Sequence, residues 1–519
     1  DCIIDLVDSL SAVQNVVLDL FGNPYNISRF RNLDKLLSLI VSYENVPFVQ
    51  ELSAQLIFGA IDALGIMPVS AGNWKSMSSG LAVPGNKRFQ FNIPLAAGMS
   101  EDTLMQIDSI VMDAIANQAM PGCQVLVARK GIVVYNKAFG NPVYGGKRKA
   151  RTTDLYDLAS VTKVMASTQA LMRLTDEECL DINQKLSAYL PYLEKSNKKD
   201  LVIKDILLHQ SGLIPFIQFY FSSMEPVFRN QSLISPKITE ANPIRVGSGQ
   251  FLNRYTRFKG NIISESYSEQ FPLQVANGMF MTRSWADTIY NGIANSALNE
   301  KKEYIYSDLG FILFRQLVDS ITYVPFDHFL DSVFYRKMGA GSLCFNPLNW
   351  FPRDEIVPTE DDQIFRKQLV HGYVHDPRAA MLGGISGHAG LFGNALDLAK
   401  MLQMMLNRGE YGGERFIRSE TVDLFTLKPQ GFYYNRRGLG FDKPETDKSK
   451  TSPACEGASP ESYGHTGFTG NMIWADPAHD LIYVFLSNRV YPDAENVKLA
   501  EMNVRTRVQQ VLYNAMTDR

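Results

Sequence analysis

Two strongly apolar strand pairs stand near opposite ends of one long stretch of this chain. A sheet that uses both must bring those ends together across everything between them. Gly122 to Ala128 reads as a strand, Arg129-Lys130-Gly131 as a turn and Ile132 to Phe139 as the returning strand. Asn471 to Ala475 and Leu481 to Leu486 form a second hairpin around Asp476-Pro477. Ahead of the first pair, Leu104, Ile107, Ile110-Val111 and Ala114-Ile115 share one helical face, and about Ala494 to Met516 reads as a closing helix. The stretch between the pairs is mostly helical by its period. The pattern predicts an α/β architecture: an antiparallel sheet with helices from both ends packed on it and an all-helical insert alongside.

The chain has 519 residues, enough for a second body. Residues 1–72 read as a small α/β fragment. In it, Asn15 to Phe21 is a buried strand ending in the turn Gly22-Asn23-Pro24. Asp34 to Leu39 reads as a short helix, Ser38 to Tyr43 as a strand, and Pro47 to Leu64 carries helical spacing. The Gly, Ser, Asn and Pro that follow predict a linker over 73–98, with the main domain over 99–519.

Composition excludes several function classes. The formal net charge of −3, without a basic tract, gives no footprint for nucleic acid or an anionic membrane. The most apolar run, Ala54 to Val69, is interrupted by Asp62 and closed by Pro68, too short and broken to span a bilayer. Five cysteines without zinc-type spacing argue against a complete disulfide framework. The chain opens at Asp1 with neither Met nor signal peptide, as expected of a processed or truncated piece; any export signal would have been removed, so its absence says little about location.

Ser160-Val161-Thr162-Lys163 precedes a run with apolar residues every three or four positions, so Ser160 falls in the first turn of a helix and Lys163 one turn on, on the same face. A serine hydroxyl needs a base, and a lysine whose pKa burial lowers toward neutral can serve. The helix N-terminus adds partial positive charge where an alkoxide develops. Alone, the motif is better read as a capping serine and a solvated lysine. Two later segments tip the balance. Tyr306-Ser307-Asp308 brings a phenol able to shuttle a proton, although Asp308 alone would read as a helix cap. His465-Thr466-Gly467-Phe468 stands just before the last strand pair; there Gly467 permits close approach of a substrate backbone, and the N–H groups of Ser160 and Phe468 could form an oxyanion hole. His371, His375-Asp376 and His388 could suggest a metal, but Gly372 and Pro377 break the helix that such spacing needs, so no metal is expected.

The order S-x-x-K, Y-x-[ND], [KH]-T-G resembles the serine β-lactamases and penicillin-binding D,D-peptidases, in its Tyr form the class C enzymes and their esterase-like relatives. Ile206 to Leu213, with its L-L-x-H-x-S-G-L pattern, and Gly383 to Phe392 extend the resemblance over roughly residues 100 to 519. It implies an acyl-enzyme hydrolase of amide, lactam or ester bonds without any cofactor. Ser160 would be nucleophile, Lys163 proton acceptor and Tyr306 proton relay, with Asp308, His465, Thr466 and Gly467 positioning substrate. Three residues depart from the pattern. Asp308 stands where Asn is common, His465 replaces a Lys that holds a substrate carboxylate, and Phe468 replaces a Ser or Thr. These departures disfavour efficient penicillin turnover and leave two other readings open: a carboxylesterase of the same fold and a catalytically silent binding module.

Residues 216–302 are longer than that family usually shows and rich in aromatics; they read as a lid or groove wall, or as ordinary insert packing. Leu20 to Tyr25 and Ala54 to Val69 resemble the end of the C-terminal α/β domain of family 3 glycoside hydrolases, which some bacteria fuse to a β-lactamase-like domain. The resemblance implies a glycosidase domain ahead of this piece in the full-length protein, no glycosidase activity in the piece itself, a substrate among cell-wall fragments and a periplasmic location.

Overall fold

The computed structural model describes residues 2–71, 77–429, 435–445, 447 and 449–518; residues 73–76 of the expected linker lie outside them. The chain divides into two compact units, one formed by 1–91 with 410–415 and the other by 92–409 with 416–519.

In the first unit, Val17–Leu20 pairs in parallel with Ser38–Val41, Val17 against Ser38 and Leu20 against Val41. Helices Cys2–Ser11 and Pro47–Ile57 accompany the pair. Ile27, Leu33 and Ala71 form a small core with Leu18, Leu20, Leu39 and Val41 packed on it. Asp19 ties the pieces by accepting hydrogen bonds from Ser42 and Ser53. The expected helix over Asp34–Leu39 is only a 3-10 turn, Leu33–Lys35, because the strand already begins at Ser38. The helix from Pro47 stops at Ile57, short of Leu64: Gly59 follows at φ +73°, outside the helical range.

In the second unit the two predicted hairpins do meet. Five strands run antiparallel in the order Tyr463–Thr466, Met472–Asp476, Leu481–Ser487, Gly122–Arg129, Ile132–Gly140. Val484 stands opposite both Ile473 and Leu126, so the end of the chain pairs directly with its early part. Alternation divides the side chains between two faces. Cys123, Val125, Val127, Trp474, Tyr483 and Phe485 pack into one core with Ile107, Val111, Val508 and Leu512 of the terminal helices Gln106–Ala116 and Val504–Asn514. The opposite face meets the helix Ala395–Leu406. The single closing helix expected from Ala494 is broken at Asn503, which adopts φ +51°.

The middle departs from the all-helical expectation over 224–281. There the chain makes small antiparallel pairings, Met224–Pro226 with Thr256–Phe258, Ile234–Ser235 and Ile244–Gly247 with Gln250–Leu252, and Ile263–Ser264 and Leu273–Ala276 with Met279–Met281. Gly249 and Gly278 take positive φ at two of the turns. Short β-branched and aromatic runs between turn residues favour ribbons over helices, whatever the helical character of the flanks.

Candidate active site

The nucleophile segment is clamped from three directions. Tyr156–Asp157 pairs with Leu391–Gly393, which pairs in turn with Cys344–Phe345. The buried Asp157 carboxylate accepts from the backbone N–H groups of Ala159 (2.8 Å) and His375 (2.6 Å). Its carbonyl accepts from Thr469 Oγ1 and Asn471 Nδ2, both at 2.8 Å. Held this way, Ala159 sits at φ +46°, a strained value for a residue with a side chain, and delivers Ser160 into a 3-10 turn, Ala159–Val161.

The helix then widens into one π-helical turn, Lys163–Ser167, before running as α-helix from Thr168 to Asp176. Side chains take up carbonyls around the widened turn: Thr168 Oγ1 donates to Lys163 O (2.8 Å), and Gln169 Nε2 donates to Val164 O (3.1 Å). Ser160 and Lys163 share a face as predicted, with Lys163 Nζ 2.9 Å from Ser160 Oγ.

Lys163 is fully buried, and its ammonium has three further neighbours in reach: Asp308 Oδ1 at 2.7 Å, the His388 carbonyl at 3.2 Å, and the Tyr306 ring, whose centroid lies 5.0 Å away. Ser160 Oγ, Asp308, the His388 carbonyl and the Tyr306 hydroxyl all stand where an ammonium can donate. The sequence reading required burial to bring this lysine toward neutral. Burial does push its pKa down, but Asp308 and Tyr306 together more than reverse the effect, and the lysine titrates above its ordinary value. For Asp308, burial would raise the pKa; Lys163 and Arg378 outweigh that and hold it at about 2. The resting pair is therefore an ammonium and a carboxylate.

Tyr306 and Asp308 are presented by the loop before the helix Leu309–Thr322. The 206–213 segment grips that loop. His209 Nδ1 accepts the Ser307 N–H (3.1 Å), the His209 carbonyl accepts Ile305 N–H (2.8 Å), and Ser307 Oγ donates to Ile214 O (2.7 Å). The His209 ring lies 4.4 Å from that of Tyr306, and burial drives its pKa well below the usual range. The Tyr306 hydroxyl interacts with both Ser160 and Lys163, while burial keeps it a neutral phenol.

His465 comes from the edge strand Tyr463–Thr466 and is buried. Its Nδ1 donates to Thr466 O at 2.7 Å, which leaves Nε2 as a lone-pair acceptor. Among the described residues Nε2 has no partner, and the ring stands 6.1 Å from Tyr306. Burial brings its pKa down to about 4, so the histidine is neutral near pH 7 and offers no cation to a substrate carboxylate. Gly467 is required where it stands: a Cβ there would lie 2.7 Å from Leu158 O. Its N–H donates to Asn471 O (2.8 Å), and the Phe468 side chain is exposed, stacked on His375 and covered by Arg489.

The structure thus brings Ser160, Lys163, Tyr306, Asp308 and His465 together at one place, with Thr466 and Gly467 on the adjoining strand end. Sequence reasoning missed Arg378, whose guanidinium meets Asp308 Oδ2 at 2.8 Å and Asp376 at 2.5 Å. It also missed Asn471, which links the Asp157 carbonyl to the Ser487 N–H. Neither carries a motif; the stretch holding Asp376-Pro377-Arg378 reads from sequence as a loop, whereas Asp376 caps the short helix Pro377–Met381. The three histidines weighed for a metal have other partners: His371 meets Ile356 O, His375 Glu360, and His388 both Asp376 and Ser386.

A family model described as Beta-lactamase matches residues 107–236 and 268–504, and the chain belongs to that family. A "Putative D-alanyl-D-alanine carboxypeptidase" of Salmonella heidelberg (strain SL476) is 28% identical over 434 residues, covering 78% of this chain and 87% of that protein. Among solved structures, EstCE1, a hydrolase with promiscuous acyltransferase activity, superposes with a TM-score of 0.53 at 16% identity, covering 79% of this chain and 99% of that one. The D-amino acid amidase from Ochrobactrum anthropi SV3 gives 0.52 at 15% identity, covering 80% and 100%. These two likenesses concern the fold. The chain is a β-lactamase-fold hydrolase, homologous to proteins named as D-Ala-D-Ala carboxypeptidases. No helix among the described residues is long and apolar enough to cross a membrane.

Proposed function

We propose that this protein hydrolyses esters or amides of small acyl donors through an acyl-enzyme on Ser160. The observation that carries the reading is the 2.9 Å contact between Ser160 Oγ and a fully buried Lys163 at the head of a clamped helix. In its amine form Lys163 takes the Ser160 proton as Oγ bonds to the acyl carbon. The N–H groups of Ser160 and Phe468 receive the oxyanion. Collapse breaks the bond to the leaving group, which takes a proton from Lys163 through Tyr306. Water then adds to the acyl ester, and its cleavage releases the acid and restores Ser160.

Asp308 accepts hydrogen bonds only, and the neutral His465 cannot pair with a carboxylate. Both features support acyl donors without a free carboxylate beside the scissile bond, and an esterase-like activity over efficient penicillin turnover. The carboxypeptidase relatives and the glycosidase-like N-terminal sequence support a cell-wall fragment as source of the acyl group and a periplasmic setting; a cytoplasmic location for the full-length protein would count against that setting.

The test is intact mass after incubation with p-nitrophenyl acetate and, separately, with benzylpenicillin, reading the small-molecule products alongside and using Ser160→Ala as control. A Ser160-dependent acetyl adduct or burst of nitrophenol, with slow or no loss of penicillin, is expected. Absence of any Ser160-dependent reaction with the ester would sink the reading.

A further inference from the structure

Arg378 lies on the short helix Pro377–Met381, outside every motif that marks the site. Asp376 caps that helix, accepting from the N–H groups of Arg378 (2.9 Å) and Ala379 (3.0 Å), and also holds the Arg378 guanidinium at 2.5 Å. The same guanidinium reaches Asp308 Oδ2 at 2.8 Å, while Asp308 Oδ1 is 2.7 Å from Lys163. Asp376 Oδ1 continues to His388 Nε2 at 3.0 Å, and the His388 carbonyl returns to Lys163 Nζ at 3.2 Å. The contacts close a ring: Lys163, Asp308, Arg378, Asp376, His388 and back to Lys163. Cation and carboxylate alternate along its first four members. The Phe216 ring lies 5.6 Å from the guanidinium, and the Arg378 side chain is only 15% exposed, so water screens the ring poorly.

We propose that Arg378 is a positioning residue for acylation, holding Asp308 so that its grip on Lys163 is divided and Lys163 can turn to Ser160. The short path from Arg378 to Lys163 runs through Asp308; the longer one runs through Asp376 and His388. Asp308 is a shared carboxylate, with one oxygen for each cation. Without the guanidinium, the whole charge of Asp308 falls on Lys163 and the amine form needed by Ser160 becomes harder to reach. The other groups bearing on Lys163 remain in place: Tyr306 in contact, with the neutral rings of His209 and His465 further off. The change in Lys163 is therefore assignable to Arg378. The inference rests on the acyl-enzyme reading above, in which Lys163 accepts the Ser160 proton.

The experiment measures the second-order rate of Ser160 acylation by an alkyl fluorophosphonate probe from pH 6 to 10, for the wild type, Arg378→Gln and Arg378→Lys, with Ser160→Ala as blank. Lysine keeps the charge and loses the two-pronged geometry; glutamine loses the charge. In Arg378→Gln the rising limb is expected to move about one unit to higher pH, which makes labelling roughly tenfold slower throughout this range, since Lys163 titrates above it. In Arg378→Lys the limb is expected to stay, with rates within about threefold of wild type. An equal loss in Arg378→Lys and Arg378→Gln, so that restoring the charge rescues nothing, would mean a merely structural role and overturn the proposal, as would a glutamine variant indistinguishable from wild type. If Arg378→Gln does not fold, a shifted limb in Arg378→Lys overturns it. Failure of wild-type Ser160 to label at all would overturn the acyl-enzyme reading itself, and this proposal with it.

Discussion

Asp308 Oδ1 lies 2.7 Å from Lys163 Nζ, so the residue that differs from the common Asn of this motif closes an ion pair on the very lysine that must accept a proton. An asparagine could hydrogen bond there without charge. The carboxylate makes the amine form of Lys163 scarcer than for an ordinary lysine.

Acylation of the wild type should therefore climb with pH, about tenfold per unit between pH 6 and 9, since the reactive fraction is the amine. Asp308→Asn should raise the rate at pH 7 by roughly 10- to 1,000-fold, because removing an opposite charge at this range shifts a pKa by about 1–3 units. Its limb should move to lower pH, opposite in sign to Arg378→Gln. Stopped-flow release of nitrophenol from p-nitrophenyl acetate reads both. A rate that falls in Asp308→Asn would mean that the carboxylate serves the substrate and not the lysine.

Ser160→Ala should lower ester turnover by at least about 10³-fold, with the melting temperature retained or slightly raised. Equal turnover by the alanine variant would locate the chemistry elsewhere.

Gly467→Ala should be damaging beyond its size. The added methyl would lie 2.7 Å from the Leu158 backbone carbonyl, which cannot yield without moving the nucleophile turn. Acylation is expected to fall by about 10²-fold or more as the Phe468 N–H is displaced from the oxyanion position. A crystal structure or rate unchanged in this variant would show that the strand end and the turn move together.

Stability should fall on acidification before the carboxylates titrate. His465 is buried and neutral, its pKa lowered from 6.5 to about 4. The unfolded chain binds a proton below about pH 6.5 that the folded chain refuses until about pH 4. Stability is thus complete above 6.5, is lost as pH falls through this window and levels off below it, a decline on the order of 3 kcal/mol from this group alone. His209 adds in the same direction. Asp308, held at about 2, works lower: its contribution is present above about pH 4 and lost as pH falls toward 2. Urea unfolding between pH 4 and 8 should show the histidine slope, reduced in His465→Gln.

What the sequence exposed and what it hid follow a physical line. The strand pairs, the terminal helices and the Ser160–Lys163 face were legible because periodicity and i,i+3 spacing are local. The ribbons of 224–281 were not, because short mixed runs do not declare their partners. The break at Asn503 and the π turn at Lys163–Ser167 depend on packing and on side chains such as Thr168 that take up the local carbonyls. Arg378 stayed hidden because its meaning is a charge met across seventy residues of chain, and Lys163 was misjudged in protonation because Asp308 was weighed as a substrate contact and not as the partner of the lysine.

The Asp157 carbonyl, held by Thr469 and Asn471, has a consequence for synthesis. The turn that aims Ser160 is completed by residues made some three hundred positions later. A nascent chain can finish the whole S-x-x-K helix and still lack the donors that keep Ala159 in its strained conformation. Reactivity is thereby withheld until the last hairpin has been made and paired, and a product truncated before Thr469 would carry the serine and the lysine without the means to use them.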